Sequence, residues 1–205
     1  MAGRAKNCIL RMETKCATPM KDLPVLKNGT LVLRAIRDDD TDALFRLFRE
    51  EAVTRYMDID SFASITQATE LIRFLRQKWR KGQSMRLAIT LRGQDKLIGT
   101  IGLHHIQLHH YKAELGYELL PAYWGQGIMT NALDLLLQYA YGQMDLNRIE
   151  AFVEPTNEPS LKLLLRLGFH YEGRLRDNFH EKGRFTDALL YSLLRKDYEQ
   201  ISIWA

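Results

Sequence analysis

Residues 113–141 read A-E-L-G-Y-E-L-L-P-A-Y-W-G-Q-G-I-M-T-N-A-L-D-L-L-L-Q-Y-A-Y, and their hydrophobic period changes partway along. Leu115, Tyr117 and Leu119 alternate with Glu114, Gly116 and Glu118, the period of two that puts apolar side chains on one face of a strand and carboxylates on the other. Pro121 has no N–H to donate and ends the ladder. From Ile128 the apolar positions Ile128, Ala132, Leu135, Leu136 and Tyr139 follow a helical stripe. The joint is Gly125-Gln126-Gly127. Two glycines between a strand and a helix start let backbone N–H groups converge on an anion that the helix dipole also favours. A phosphate-bearing ligand is one reading of that joint, and a tight strand-to-helix turn without a ligand is the other.

The chain has 205 residues, 46% of them hydrophobic, enough for one substantial core. Its net charge of +4 would suggest nucleic acid if it lay on the folded body. It does not. Arg4, Lys6, Arg11, Lys15 and Lys21 face only Glu13 in the first 21 residues, which leaves 24 basic and 24 acidic residues elsewhere. Residues 1–22 are therefore expected to be a basic, disordered leader, and residues 23–205 one domain. No stretch has the apolar length of a signal peptide or a membrane span. Cys8 and Cys16, the only cysteines, both fall in the leader, where they cannot staple a core. Two free thiols suit a reducing cytoplasm.

Along the rest of the chain, residues 30–36 predict a strand. Asp38, Asp39 and Asp40 follow it as acids suited to the positive end of a helix reaching about Glu50. Ser64 and Gln67 form a capping-box pattern before a helix carrying Leu71, Ile72, Leu75 and Trp79, which Gly82 ends. Residues 85–91 and 96–106 predict a hairpin around Arg92-Gly93-Gln94-Asp95. Residues 148–153 predict a strand, and residues 157–167 a helix with Leu161, Leu164 and Leu165 inward and Gly168 at its end. Two more strands are expected at 171–176 and 188–194.

The glycine pair lacks the third glycine of a dinucleotide fingerprint, since Thr130 stands there, and no G-K-[ST] follows it. With those loops set aside, the segments G-Y-E-L-L-P-A-Y-W-G-Q-G-I-M-T, N-E-P-S before L-L-L-R-L-G-F, Y-E-G-R-L-R and G-R-F-T-D-A-L-L-Y-S-L carry a resemblance. The chain resembles the GCN5-related N-acetyltransferases, and within them the RimJ/RimL ribosomal-protein N-terminal acetyltransferases, from about residue 30 to 195. That resemblance implies an α/β (α+β) fold: a mixed, mainly antiparallel sheet with flanking helices, splayed where the strands at residues 113 and 148 part. It implies an acyltransferase that uses acetyl-CoA as co-substrate.

The family's acetyl-CoA loop, [QR]-x-x-G-x-[GA], aligns here with Trp124, Gly125, Gln126, Gly127, Ile128 and Met129. Trp124 and Met129 depart from it, though Trp before G-x-G is similar to the RimJ/RimL branch. The resemblance adds Leu119 to the cofactor-binding set. It places Asn157 near the pantetheine arm and Ser160 near the thioester sulfur, whereas residue chemistry alone reads Asn157 as an N-cap and Ser160 as its helical neighbour. Many family members carry a tyrosine acid four residues before the G-F pair, where this chain has Leu164. Ser160 is then the candidate donor to the departing thiolate, with water as the alternative.

Deprotonating an α-amine of pKa about 7.7 to 8.0 costs about 1 kcal/mol at pH 7, against about 4 to 5 for a lysine near 10.4. A protein N-terminus therefore needs only a modest base. Glu114 is the first candidate, Glu118 the second, and a backbone N–H of residues 116–120 the candidate oxyanion donor. Asp58 and Asp60 would draw a cationic acceptor. Polyamine or antibiotic acetylation, and CoA binding without turnover, remain open alternatives. Adjacent histidines at 104 and 105 point to opposite strand faces, so no metal is expected. Nucleic acid and membrane are not expected partners, and a homodimer is left open.

Overall fold

The computed structural model describes residues 22–202. The expected leader, apart from Asp22, and both cysteines lie outside the described residues. The elements run β1 (Leu26–Lys27), β2 (Leu31–Ala35), α1 (Thr41–Arg49), α2 (Glu51–Thr54), α3 (Ile65–Arg80), β3 (Met85–Leu91), β4 (Gln94–Gln107), β5 (Lys112–Leu119), α4 (Ile128–Gly142), β6 (Arg148–Val153), α5 (Glu158–Arg166), β7 (His170–Glu181), β8 (Arg184–Leu194) and α6 (Arg195–Ser202).

The eight strands form one sheet in the order β1-β2-β3-β4-β5-β6-β8-β7. Every neighbouring pair is antiparallel except β5 and β6, which run parallel over only three residue pairs, Lys112↔Arg148, Ala113↔Ile149 and Glu114↔Glu150. Beyond Glu114 the two strands separate, while β5 stays paired to β4 as far as Leu119. This is the splay that the family resemblance implied, and it opens a gap in mid-sheet.

Each face of the sheet has its own apolar layer. Leu31, Leu33, Met85, Leu87, Ile101 and Leu103 join the inward side of α4, and Ala88 and Leu97 pack with Leu44, Leu47, Phe48 and Ile72 from α1 and α3. The buried stripe of α4 is Ile128/Met129, Ala132/Leu133, Leu136/Leu137 and Ala140/Tyr141. It is broader than the one read from the sequence, whose Leu135 and Tyr139 are only partly buried and pack against its edge. Burying both residues of each doublet fits a helix laid flat on a wide sheet.

Several local expectations change. Asp40 does not cap α1, because both its oxygens are taken by Arg34 (2.7 and 2.9 Å) and one also by the Arg37 N–H (2.8 Å). A buried guanidinium outcompetes the helix end for that carboxylate. Gln67 does reach back, accepting from the N–H groups of Ala63 (2.8 Å) and Ser64 (3.0 Å). The β3–β4 turn is tighter than expected, with Leu91 opposite Gln94 and only Arg92-Gly93 between them. Leu165 is 56% exposed, and Leu164 alone is fully buried in α5. Strands β7 and β8 run several residues beyond their predicted limits, and α6 and β1 carried too few apolar residues to be read.

Candidate active site

The gap between β5 and β6 is the floor of a cleft of about 560 Å³. One wall is the start of α4, a second is the face of α5 bearing Asn157, Ser160 and Leu163, and a third is the segment from Ala52 to Met57.

At the α4 wall the two glycines adopt left-handed backbone, each with φ of +72°. A Cβ at either would meet nothing within 4 Å, so glycine is needed for its conformation and not for space. The indole Nε1 of Trp124 donates to the Leu119 carbonyl at 2.7 Å. That bond ties the loop to the end of β5, which explains an aromatic residue where the family pattern has a polar one. Gln126 turns back, its Nε2 donating to the Ala122 carbonyl at 2.9 Å, and does not line the cleft. Leu119, Trp124, Gly125, Gly127, Ile128 and Met129 do line it, as do Asn157 and Ser160. No acidic side chain stands in the first turn of α4, so its free N–H groups keep their positive character.

Strand β5 gives the floor backbone that β6 does not pair. The N–H of Leu120 donates to Ile98 on β4 (3.0 Å), so by alternation the peptide groups of Tyr117 and Leu119 face away from β4 and into the gap. On the α5 side, the Asn157 side chain accepts from the Ser160 N–H at 3.3 Å, the N-cap role expected of it. The hydroxyl of Tyr117 lies 2.6 Å from Ser160 Oγ, and burial pushes that phenol up to about 12.

The two candidate carboxylates part company. Glu114 lies where β5 and β6 are still paired, its carboxylate bonded to His105 Nδ1 at 2.9 Å, and does not line the cleft. Glu118 does line it. It is buried beside Arg86, whose Nη2 it accepts, and takes a second bond from Thr100 Oγ1 at 2.6 Å. Arg86 in turn gives Nη1 to His104 Nε2 at 2.8 Å. Burial, then the Arg86 charge, pull His104 down to about 3, so it is neutral and Nε2 is the acceptor. A Cβ on Gly116 would stand 2.7 Å from that nitrogen and 2.9 Å from Arg86 Nη1, so the glycine makes room for the network.

Sequence reasoning missed this network and the rim above it. Arg86 inside the apolar run M-R-L-A-I-T-L was the available signal, because a charge within a buried strand needs a partner. Asp58 and Asp60 are exposed and do not line the cleft. At the rim, Lys182 donates to the Thr54 carbonyl at 2.8 Å, and Tyr56 to the Thr156 carbonyl at 3.2 Å. Burial, with Asp58 and Glu154 nearby, raises the Glu181 carboxyl above its ordinary range. Among the described residues no group of three or more His, Cys, Asp or Glu side chains is gathered to hold a metal, and no helix is long and apolar enough to cross a membrane.

Comparisons with known proteins agree with this architecture. The "Acetyltransferase (GNAT) domain" family matches residues 30–170. The chain is similar to an uncharacterized N-acetyltransferase, p20, of Bacillus licheniformis, with 39% identity over 86% of this chain and 99% of the relative. It is 24% identical to a spermidine N(1)-acetyltransferase of Escherichia coli over 81% of this chain and 87% of that one. Mycobacterium smegmatis RimJ, solved in complex with CoA-disulfide, superposes with a TM-score of 0.76 at 25% identity, covering 85% of this chain and 87% of the other. With its parted parallel strands, its glycine turn at the head of α4 and these matches, the chain belongs to the GNAT acetyltransferase family and is an acyltransferase.

Proposed function

We propose that this chain transfers the acetyl group of acetyl-CoA to a primary amine, with the α-amine of a protein N-terminus as the preferred acceptor. The observation that carries the reading is the pair of left-handed glycines at the head of α4, opening onto the gap between β5 and β6. Those residues fit the co-substrate. The N–H groups around Gly125 and Gly127 would hold its diphosphate, and Asn157 and the β5 backbone its pantetheine arm. When bound, acetyl-CoA supplies an acyl carbon activated by its thioester.

The remaining work belongs to the chain. Glu118 is the carboxylate within the cleft, and it takes the proton from the acceptor amine in place of Glu114, directly or through a water it holds. Arg86 and Thr100 orient it. The N–H groups of Tyr117 and Leu119 face the gap, where they can stabilise the oxyanion. Ser160 donates to the departing sulfur. Because an α-amine needs only about 1 kcal/mol to deprotonate at neutral pH, one oriented carboxylate suffices.

A polyamine is the second reading, favoured by the spermidine-acetylating relative and by Asp58, Glu154 and Glu181 near the rim. Acetyl-CoA assays on peptides with free N-termini, on spermidine and on Nα-blocked lysine separate the two. We expect turnover on the peptides at the highest kcat/KM. A preference for spermidine overturns the N-terminal assignment, and no transfer to any amine, with acetyl-CoA bound, leaves a CoA-binding module.

A further inference from the structure

Across the cleft, β5 and α5 meet in one hydroxyl pair. Tyr117 Oη lies 2.6 Å from Ser160 Oγ, and both residues line the space between the glycine turn and α5. Leu164, on the same helix, is fully buried in the core. Among the described residues, the tyrosine hydroxyl bonded to the cleft face of α5 is that of Tyr117, from the strand.

We propose that Tyr117 is a positioning residue for thiol departure: its hydroxyl donates to Ser160 Oγ and so aims the Ser160 O–H at the leaving sulfur. The inference rests on the acetyl-CoA reading of the cleft. The direction of the bond follows from acidity, since a phenol is a better donor than an alkyl hydroxyl. Once Ser160 Oγ accepts from Tyr117, its own proton must find another acceptor. The local candidates for a helical serine are the carbonyls three and four residues back, the second being the more usual. Here that carbonyl, of Thr156, already accepts from Tyr56 Oη at 3.2 Å and from the Glu158 N–H at 3.0 Å, two donors for its two lone pairs. The Ser160 backbone is meanwhile held by the Asn157 cap. The Asn157 carbonyl already accepts the Leu161 N–H at 3.1 Å, and Ser160 lines the cleft, where the leaving sulfur would be the acceptor for its proton.

The step balances without a full transfer from the phenol. As the amine attacks, a C–N bond forms and the C–S bond breaks, with its electron pair leaving on sulfur. Burial holds the Tyr117 phenol at about 12, far above a thiol near 8.5, so the phenol keeps its proton. The pair stabilises the thiolate by hydrogen bonding. The proton that finally neutralises sulfur comes from solvent, which has received one from the amine through Glu118.

CoA itself is the probe. Ultraviolet thiolate absorbance of bound CoA, followed against pH, reads how strongly the protein stabilises ionised sulfur, with no acceptor needed. In the wild type the bound thiol should ionise at lower pH than in Tyr117→Phe, with the thiolate-to-thiol ratio falling roughly tenfold on loss of the oriented donor. Affinity for CoA at low pH should stay within about twofold. Ser160→Ala should match Tyr117→Phe, and the double variant should lose no more, because both remove one donor. The other charged groups lining the cleft, Arg55, Glu118, Glu154 and Arg166, are common to every variant. Identical titrations in wild type and Tyr117→Phe, with only a lowered melting temperature, overturn the inference and make the pair a structural bond. Failure of the wild type to bind CoA overturns the reading of the cleft itself, and shows as the absence of any saturable signal.

Discussion

The two sides of the cleft are built by different physics. The α4 side is main chain: two left-handed glycines, a helix start without an acidic side chain in its first turn, and β5 peptide groups freed by the splay. The opposite side is assembled from side chains distant in sequence. Arg86 meets Glu118 across the sheet, and Lys182 reaches from the β7–β8 turn to the carbonyls of Thr54 and Arg55. On the proposed function the backbone wall would hold the co-substrate and the side-chain wall, with the segment from Ala52 to Met57, the acceptor. A wall of side chains can be re-specified one residue at a time, which would suit a change of acceptor.

The largest effect that separates the two sides comes from Arg86. Its guanidinium touches Glu118, Thr100 and His104, with 8% of the residue exposed. Arg86→Met leaves the Glu118 carboxylate buried with Thr100 as its remaining partner. We expect a loss of about 3 to 5 kcal/mol, the usual penalty for orphaning one member of a buried ion pair. Urea denaturation measures it. Arg86→Met combined with Glu118→Leu should recover much of the loss, because no buried charge is then left unpaired. A single-variant loss under about 1 kcal/mol would mean the pair is effectively solvated and the acceptor wall does not rest on it.

The same division decides what the sequence could reveal. The strand, the glycine turn and α4 were legible because each is a local pattern: a change of period, a proline stop, glycines at a helix start. The splay was legible only through the family resemblance. Glu114 and Glu118 share a strand face and look equivalent in the sequence. What distinguishes them is that β6 still covers β5 at Glu114 and has left it by Glu118, a fact of tertiary pairing. Asp38, Asp39 and Asp40 do stand at the start of α1 as read, but the buried partner of Asp40, Arg34 on β2, was not legible for the same reason. Tyr117 was read only as an apolar strand residue, and nothing local announces a hydroxyl partner 43 residues on.

On the main-chain side the expected change is smaller in stability and larger in binding. Gly127 has φ of +72° and open space where a Cβ would sit, so Gly127→Val costs roughly 1 to 2 kcal/mol of handedness strain with no core clash. Relieving that strain turns the peptide groups at the head of α4. Isothermal titration should then show loss of acetyl-CoA binding while circular dichroism stays native. Retained affinity would return the glycines to a plain turn and move the co-substrate's anchor elsewhere.

The smallest effect sharpens the comparison most. Lys182 and Gly183 form a two-residue turn with φ of +48° and +77° between Glu181 and Arg184, a hairpin geometry that projects the lysine outward. Its ammonium donates to the Thr54 carbonyl at 2.8 Å and to that of Arg55 at 3.4 Å, tying the hairpin tip to the segment that walls the cleft. The side chain is exposed, so Lys182→Ala should cost no more than about 1 kcal/mol of stability. On the proposed function its effect should fall on the acceptor alone. Losing the tie frees the Ala52–Met57 wall, and the KM for the acceptor should rise roughly twofold to fivefold, the equivalent of one exposed hydrogen bond. The KM for acetyl-CoA should not move, because no bond of Lys182 reaches the glycine turn or α5. Equal shifts in both constants would show that the two sides are one mechanical unit, and the contrast between a backbone wall and a side-chain wall would fail.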